Sequence, residues 1–230
     1  MSGQRVGIAF PTVLASTVHD MKNSLGMLLQ ALDAIIERIP EAVRDDLREL
    51  AVIKYESERV NHDLVQLLAL YKIEQDQLPL NIGYHDVTEF LEEQGLLYGE
   101  LLQYRHIELS VHADEGLFWY FDADLLASAL GNIITNTIRY SKSAIELHAF
   151  IQDNALQLIV ADDGPGYPKA MIEKQQDYLL GINQSSGSTG LGLYFSGQIA
   201  RLHSKDGRQG HIVLANGQPM SGGAFRMVLP

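Results

Sequence analysis

Between positions 14 and 39 the apolar residues fall at Leu14, Val18, Met21, Leu25, Leu28, Leu32, Ile35 and Ile39, in steps of 4, 3, 4, 3, 4, 3 and 4. A step alternating in this way over more than three heptads fits a helix with a coiled-coil seam and little else. Pro40 ends that helix, because it lacks the N–H a further turn needs. A second helix is predicted over 41–74, with Val43, Leu47, Leu50, Leu64, Leu68 and Tyr71 on one side. Its middle is more polar, with Lys54, Ser57 and Asn61 near the same stripe. Two such helices joined by a tight turn cannot bury both apolar faces alone, and the simplest remedy is a homodimer closing a four-helix bundle. In this seam Val18 and Met21 point inward, which places His19 on a flank among the short residues Ala15, Ser16, Asn23 and Gly26.

Around 75–86 the periodicity breaks at Pro79, Asn81 and Gly83, which predicts a helical hairpin over 1–78 and a second domain over 79–230. That second domain mixes element types. Helices are predicted over 87–104, 123–141 and 191–202. Strands are predicted over 107–112, 116–121, 144–151 and 156–161, with two more around the Asn216-Gly217 turn. The expected fold is α+β, a helical hairpin followed by a sandwich with helices on one sheet face. Composition excludes several functions. With 46 % apolar and 20 % charged residues the chain is not disordered as a whole. A net charge of −12 without a basic run argues against nucleic acid. The absence of cysteine removes disulfides, thiol nucleophiles and Cys-based zinc sites. No apolar run nears the roughly 18–20 residues of a bilayer span, and the start lacks the layout of a secretory signal. A cytoplasmic protein is expected.

Three segments of the second domain have the chemistry of a phosphate-bearing ligand site. In Asn132-Ile-Ile-Thr-Asn136-Thr-Ile-Arg139-Tyr140 the two amides stand one helical turn apart on one side, with Arg139 beyond them. Amide oxygens suit a hard cation such as Mg²⁺, and Arg pairs with phosphate; the plain alternative is a pair of solvated helix residues. Asp162-Asp163-Gly164-Pro-Gly166 follows an apolar strand. A carboxylate there can accept from an exocyclic amine while glycines let the backbone turn closely round a base; the plain alternative is an acidic turn. Gly187-Ser-Thr-Gly190-Leu-Gly192 opens a helix, where backbone N–H groups can face a polyphosphate. It lacks the ending of a P-loop.

Taken in order, these segments resemble the N box and the two glycine boxes of the Bergerat-type ATPase superfamily, which includes gyrase, the ninety-kilodalton heat-shock chaperone, mismatch-repair ATPases and histidine kinases. The hairpin selects among them. Val18-His19-Asp20-Met21-Lys22-Asn23-Ser24-Leu25 resembles the H box of HisKA-type sensor histidine kinases. Val60-Asn-His-Asp-Leu64-Val-Gln-Leu67-Leu68 resembles that family's second dimerisation helix, and Asp122 matches the acid ahead of the N box. Gly223-Ala-Phe225-Arg-Met-Val-Leu229-Pro230 is similar to its terminal strand. The resemblance implies an ATP-dependent protein histidine kinase that phosphorylates His19 and passes the phosphoryl group to an aspartate on a response-regulator receiver domain. It assigns the proton-holding role to Asp20 and dephosphorylation of the partner to Asn23. Asn132 and Asn136 would hold Mg²⁺ and the phosphates, with Arg139 and Tyr140 assisting. Asp162 would take the adenine amine, Gly164 and Gly166 would shape its pocket, and Gly187, Gly190 and Gly192 would line the polyphosphate.

The pattern departs from the family in four places. Ser24 replaces the usual proline of the H box, so a straighter first helix is expected. Only 20 residues separate Gly166 from Gly187, leaving a short lid to which Tyr178, Leu179 and Leu180 supply apolar contact. Asp163 stands where asparagine is common and adds charge beside the purine pocket. No sensor precedes the hairpin, so a separate sensor acting in trans is expected, the start at Met1 favouring this over an excised piece. His62-Asp63 repeats the His-Asp pair on the second helix and reads as structural or solvated. His85, His106, His112, His148, His203 and His211 show no metal-ligand spacing and receive no role. Two other readings stay open: a non-enzymatic phosphotransfer protein whose degenerate ATP-binding domain only docks partners, and a Bergerat-type serine kinase that binds a transcription factor.

Overall fold

In the computed structural model, which describes residues 10–39, 48–175 and 191–230, the chain divides into the units Met1–Leu78 and Pro79–Pro230. The first unit is an antiparallel pair, α1 (Phe10–Arg38) and α2 (Arg48–Glu74). Pro11 lies in the first turn of α1, where a missing N–H breaks no intrahelical bond, and the helix runs through Ser24 without interruption. Asp76 stops α2 in the left-handed region at φ 52°, and the Gln77 N–H returns to the Lys72 carbonyl at 2.8 Å. Across the pair Lys54 Nζ donates to Asp33 Oδ1 at 2.7 Å, a contact between half-buried groups.

The heptad seam is divided. Val18 and Leu32 are buried and Leu25 is half-buried, whereas Met21, Leu28 and Ile35 are 50, 59 and 52 % exposed. Met21 therefore does not point inward with Val18. One hairpin offers one partner helix, which covers every second seam position; the other set, repeating every seven residues, forms a stripe on the flank. Ile53 and Val60 of α2, also seven apart, are exposed as well.

The second unit is built on a five-stranded sheet in the order β2-β4-β5-β9-β8. Its strands are β2 (Glu108–Ala113), β4 (Ala144–Gln152), β5 (Ala155–Asp162), β8 (His211–Asn216) and β9 (Gly223–Leu229). β2 and β4 are parallel, and the other pairs are antiparallel. A two-stranded ribbon of β1 (Gly83–Asp86) and β3 (Phe118–Phe121) stands apart from it. Three helices pack on the sheet: α3 (Val87–Leu96), α5 (Ala123–Tyr140) and α7 (Leu191–Leu202). α5 earns its place by periodicity, burying Leu126, Leu130, Ile133, Ile134 and Ile138. These meet Ile145, Leu147, Leu156, Leu158, Phe195, Ile199 and Phe225 in the core.

Four local expectations change. β1 occupies part of the stretch where the periodicity breaks, and a short helix, α6 (Lys169–Glu173), precedes α7. The helix expected over 87–104 is broken into α3 and α4 (Gly99–Arg105), with Tyr98 between them off helical geometry at φ −106°, ψ 8°. A hairpin absent from the expected elements joins β6 (Ser204–Lys205) to β7 (Arg208–Gln209). Its turn places Asp206 and Gly207 at φ 50° and 75°, the geometry an Asp-Gly pair favours.

Asp122 ties the elements together. It caps α5, accepting from Leu125 N at 3.0 Å and from Asn81 N at 2.7 Å. Its own N–H donates to His203 Nε2 at 3.0 Å, and His203 Nδ1 donates to the Ile199 carbonyl at 2.8 Å. Both ring nitrogens are thus used by a neutral imidazole. Burial lowers the pKa of His203 below the ordinary 6.5, against the opposing Ile199 hydrogen bond and Asp122 charge. A folded-state pKa below the unfolded value means that the unfolded chain binds more protons, so this contribution is complete above about pH 6.5 and is lost on acidification. Urea unfolding at pH 7.5 and 5.5 should show the wild type losing stability between them and His203→Gln losing less. Equal losses would remove His203 from the acid response.

Candidate functional site

The stripe read on α5 runs from the core to the surface. Asn132 is 8 % exposed, while Asn136, Arg139 and Tyr140 are exposed. Asn132 Nδ2 is buried without a hydrogen-bond partner among the described residues, so a ligand oxygen would meet a donor already stripped of water. The first turn of α7 lies against it. A Cβ built on Gly192 would come within 2.0 Å of Asn132 Nδ2 and 2.4 Å of its Oδ1. Glycine at 192 is therefore required by the asparagine sixty residues earlier, and a helix start is where phosphate oxygens bind well.

The C-terminal end of α5 meets the acidic turn. A Cβ on Gly164 would come within 2.4 Å of the Tyr140 carbonyl oxygen and 2.7 Å of Asp162 Oδ1. Asp162 is buried at the end of β5. Its Oδ1 accepts from Gly164 N at 2.7 Å, and its carbonyl accepts from Gly222 N at 2.9 Å. Gly222 and Gly223 press on the same carboxylate, since a Cβ on either would approach it to 2.4 or 3.0 Å. Oδ2 accepts no hydrogen bond among the described residues, so it can receive an amine. Gly166 adopts φ 76°, which only glycine holds without strain. Beyond it Asn216 clamps the chain, its Oδ1 accepting from Tyr167 N at 2.8 Å and its Nδ2 donating to the Tyr167 carbonyl at 2.9 Å. Burial, then the Asp162 charge, pushes the Tyr167 hydroxyl well above its usual range and keeps it protonated.

Asp163 plays a different part from the one its position suggested. Its carboxylate accepts from Lys142 N at 2.8 Å, Ser143 N at 3.0 Å and Ser143 Oγ at 2.7 Å, so it pins the turn between α5 and β4 instead of charging the purine pocket. Desolvation raises its pKa, but these hydrogen bonds outweigh that effect and bring it down to about 2.

On α1, His19 is exposed. Its Nδ1 lies 3.2 Å from Asn23 Nδ2 and 3.6 Å from Asp20 Oδ1, and Nε2 has no hydrogen-bond partner among the described residues. The surroundings are open, for a Cβ on Gly26 would meet nothing within 4 Å. His62, by contrast, is half-buried and 2.6 Å from Gln66 Nε2, and burial lowers its pKa.

Within the second unit, Asn132 with Gly192 and Tyr140 with Gly164 are joined at two points eight residues apart on α5, about 12 Å along its axis. Gly187, Gly190 and the apolar Tyr178, Leu179 and Leu180 lie outside the described residues. Sequence reasoning missed Tyr167, Asn216, Gly222 and Gly223. The adjacent glycines before the last strand were the available signal, since paired glycines often mark close backbone contact.

Residues 121–230 match the family described as Histidine kinase-, DNA gyrase B-, and HSP90-like ATPase. Over 204 residues the chain is 26 % identical to the sensor histidine kinase WalK of Bacillus subtilis, covering 84 % of this chain and 33 % of that protein. Over 196 residues it is 22 % identical to the sensor protein SrrB of Staphylococcus aureus, covering 83 % and 34 %. The chain thus spans about a third of the length of the curated relatives it matches. Full-length ShkA in complex with AMPPNP superposes with a TM-score of 0.71 at 17 % identity, over 96 % of this chain and 46 % of that one. The Acinetobacter baumannii histidine kinase AdeS does so at 0.61 and 22 %, over 92 % and 96 %. At these identities the solved structures show a common fold.

Gly192 and Gly197 on α7 provide a matched pair of substitutions. Gly192→Ala must displace the buried Asn132 amide and should cost about 1–3 kcal/mol, as overpacking does. Gly197→Ala would meet Ile212 Cδ1 and Cγ1 at an ordinary 3.7 and 3.9 Å, and should be neutral or add up to about 1 kcal/mol of helix propensity. Denaturant midpoints of the two variants measure the difference. Indifference to Gly192→Ala would mean that α7 does not rest on Asn132.

Proposed function

We propose that the chain is the catalytic portion of a sensor histidine kinase, with residues 121–230 as its ATP-binding domain, and that it transfers the γ-phosphoryl group of ATP to His19. Its single best support is the pair of contacts along α5. The buried donor at Asn132 lies under Gly192 at one end, and the free acceptor of Asp162 lies behind Gly164 at the other. A nucleoside triphosphate has matching ends, a phosphate chain and an amine-bearing base. Asp162 Oδ2 takes the adenine amine, with Gly164 and Gly166 giving the ring room. Gly187, Gly190 and Gly192 line the phosphates, and Arg139 and Tyr140 approach from the exposed end of α5. Asn132 and Asn136 would hold Mg²⁺, which when bound would neutralise charge on the phosphates.

In the transfer, His19 Nε2 forms the N–P bond as the bond from γ-phosphorus to the bridging oxygen breaks and ADP leaves. For attack the ring proton sits on Nδ1, facing Asp20, which steadies the cationic phosphoimidazole, and the Asn23 amide turns its oxygen toward Nδ1 in place of its nitrogen; the residues contribute position and charge more than covalent chemistry. The phosphoryl group then passes to an aspartate of a response-regulator receiver domain, breaking the N–P bond. Asn23, beside His19, orients water for the reverse duty of hydrolysing that aspartyl phosphate. Among the described residues no helix is long and apolar enough to cross a membrane.

The hairpin acts as a homodimer, with Met21, Leu28 and Ile35 as its seam. Each such side chain contributes about 1.5–3 kcal/mol when covered, so Leu28→Glu should convert a dimer to monomers in light scattering. A wild type that is monomeric at micromolar concentration would end this part of the reading.

Incubation with γ-labelled ATP and Mg²⁺ should give acid-labile, alkali-stable label on the wild type, and none on His19→Ala or Asp162→Ala. Acid-stable label would point to serine. Calorimetry without ATP binding would instead favour the phosphotransfer module.

A further inference from the structure

The open face of the sheet carries a group of side chains that the nucleotide site does not use. β2 and β4 run in parallel, with Ser110 opposite Glu146 and His112 opposite His148. Strand alternation sends Ile145 and Leu147 into the core beneath the helices, and therefore Glu146 and His148 to the opposite face. His112 and His148 stack with ring centres 4.8 Å apart at 24°. His148 Nε2 lies 2.8 Å from Glu146 Oε2, and His112 Nε2 lies 3.0 Å from Ser110 Oγ. One nitrogen from each ring and one carboxylate oxygen all fall within 4.8 Å of one another. A shallow groove opens here, lined by His112, Asp114, His148 and Phe150.

We propose that His112, Glu146 and His148 form a binding site for a divalent transition-metal ion of the zinc class. The donor set fixes the class. Two imidazoles and one carboxylate suit zinc and its neighbours, whereas Ca²⁺ and Mg²⁺ require more oxygens, and no thiolate is present to favour softer ions. Tetrahedral zinc with bonds of about 2.0–2.1 Å separates its ligand atoms by about 3.3 Å. The Glu146–His148 pair is already near that spacing, and the widest separation closes by side-chain rotation at the exposed His112. As the metal takes Nε2 of His148, the hydrogen shared with Glu146 moves to Nδ1, so ligation replaces the hydrogen bond without leaving the carboxylate unpaired. The two strands are main-chain bonded neighbours, so they present the ligands at little further entropic cost. Three protein ligands leave a fourth position for water. The ion would join the edge strand β2 to β4 on the face away from α5 and α7.

Equilibrium dialysis and titration calorimetry of the full chain with ZnCl₂ at pH 7.5, without nucleotide, test the site. One zinc per chain is expected, with a raised melting temperature. His148→Ala and the near-isosteric Glu146→Gln should each lose that zinc and its thermal effect, with circular dichroism confirming that both variants are folded. His106→Gln, an exposed histidine elsewhere in the unit, should retain it. No zinc on the wild type, or equal zinc on the wild type and the folded His148→Ala and Glu146→Gln variants, would overturn the proposal.

Discussion

The second unit depends on how the start of α5 is held. Asp122 is buried with its carboxylate shared between the helix's own first turn and the Asn81 backbone, while its N–H goes to His203. One residue thereby fixes the entry into the domain, the start of the helix that carries Asn132, and the end of the helix that carries Gly192. A buried carboxylate accepting two N–H groups is costly to disturb, because removing either partner leaves charge without compensation. The positions of Asn132 under α7 and of Tyr140 against Gly164 are thus set at one end by electrostatics and along the rest of α5 by apolar packing.

Some of this was legible in the sequence, for reasons that can be given residue by residue. The hairpin and the amphipathic α5 repeat with helical period, and period survives translation into structure. Asp162 and Gly164 were singled out because a carboxylate at a strand end before glycine can accept an amine as well as close an acidic turn, and the structure packs the one against the other. What was hidden depends on contacts distant in sequence. That Met21 faces outward while Val18 faces inward follows from how many partner helices are present, which no local pattern records. Asp163 reads as one more charge beside Asp162, yet its carboxylate closes a turn twenty residues earlier. His112 and His148 have no ligand-like spacing because parallel pairing, rather than chain neighbourhood, unites them.

The two units divide the proposed chemistry by exposure. The group that is to react, His19, is exposed and makes only weak contacts with Asp20 and Asn23. The groups that are to bind, Asn132 and Asp162, are buried and pressed by glycine backbone. Binding groups gain from exclusion of water, which strengthens each hydrogen bond they make. A nucleophile that must meet more than one partner gains from access. Both arrangements rest on small residues, which at 164 and 192 admit close backbone and at 26 leave clear space.

The parallel pairing of β2 with β4 also sets an order of events in time. Partners in that ladder, from Glu108 with Ala144 to Ala113 with Ala149, are 36 positions apart, and β3 and α5 lie between them. At a ribosomal rate of about 5–20 residues per second, β2 emerges roughly two to seven seconds before its neighbour β4. During that interval its main-chain groups are satisfied by water, and the α5 sequence emerges before β4 does. The strand that will form the sheet's edge is among the first made and must wait for β4.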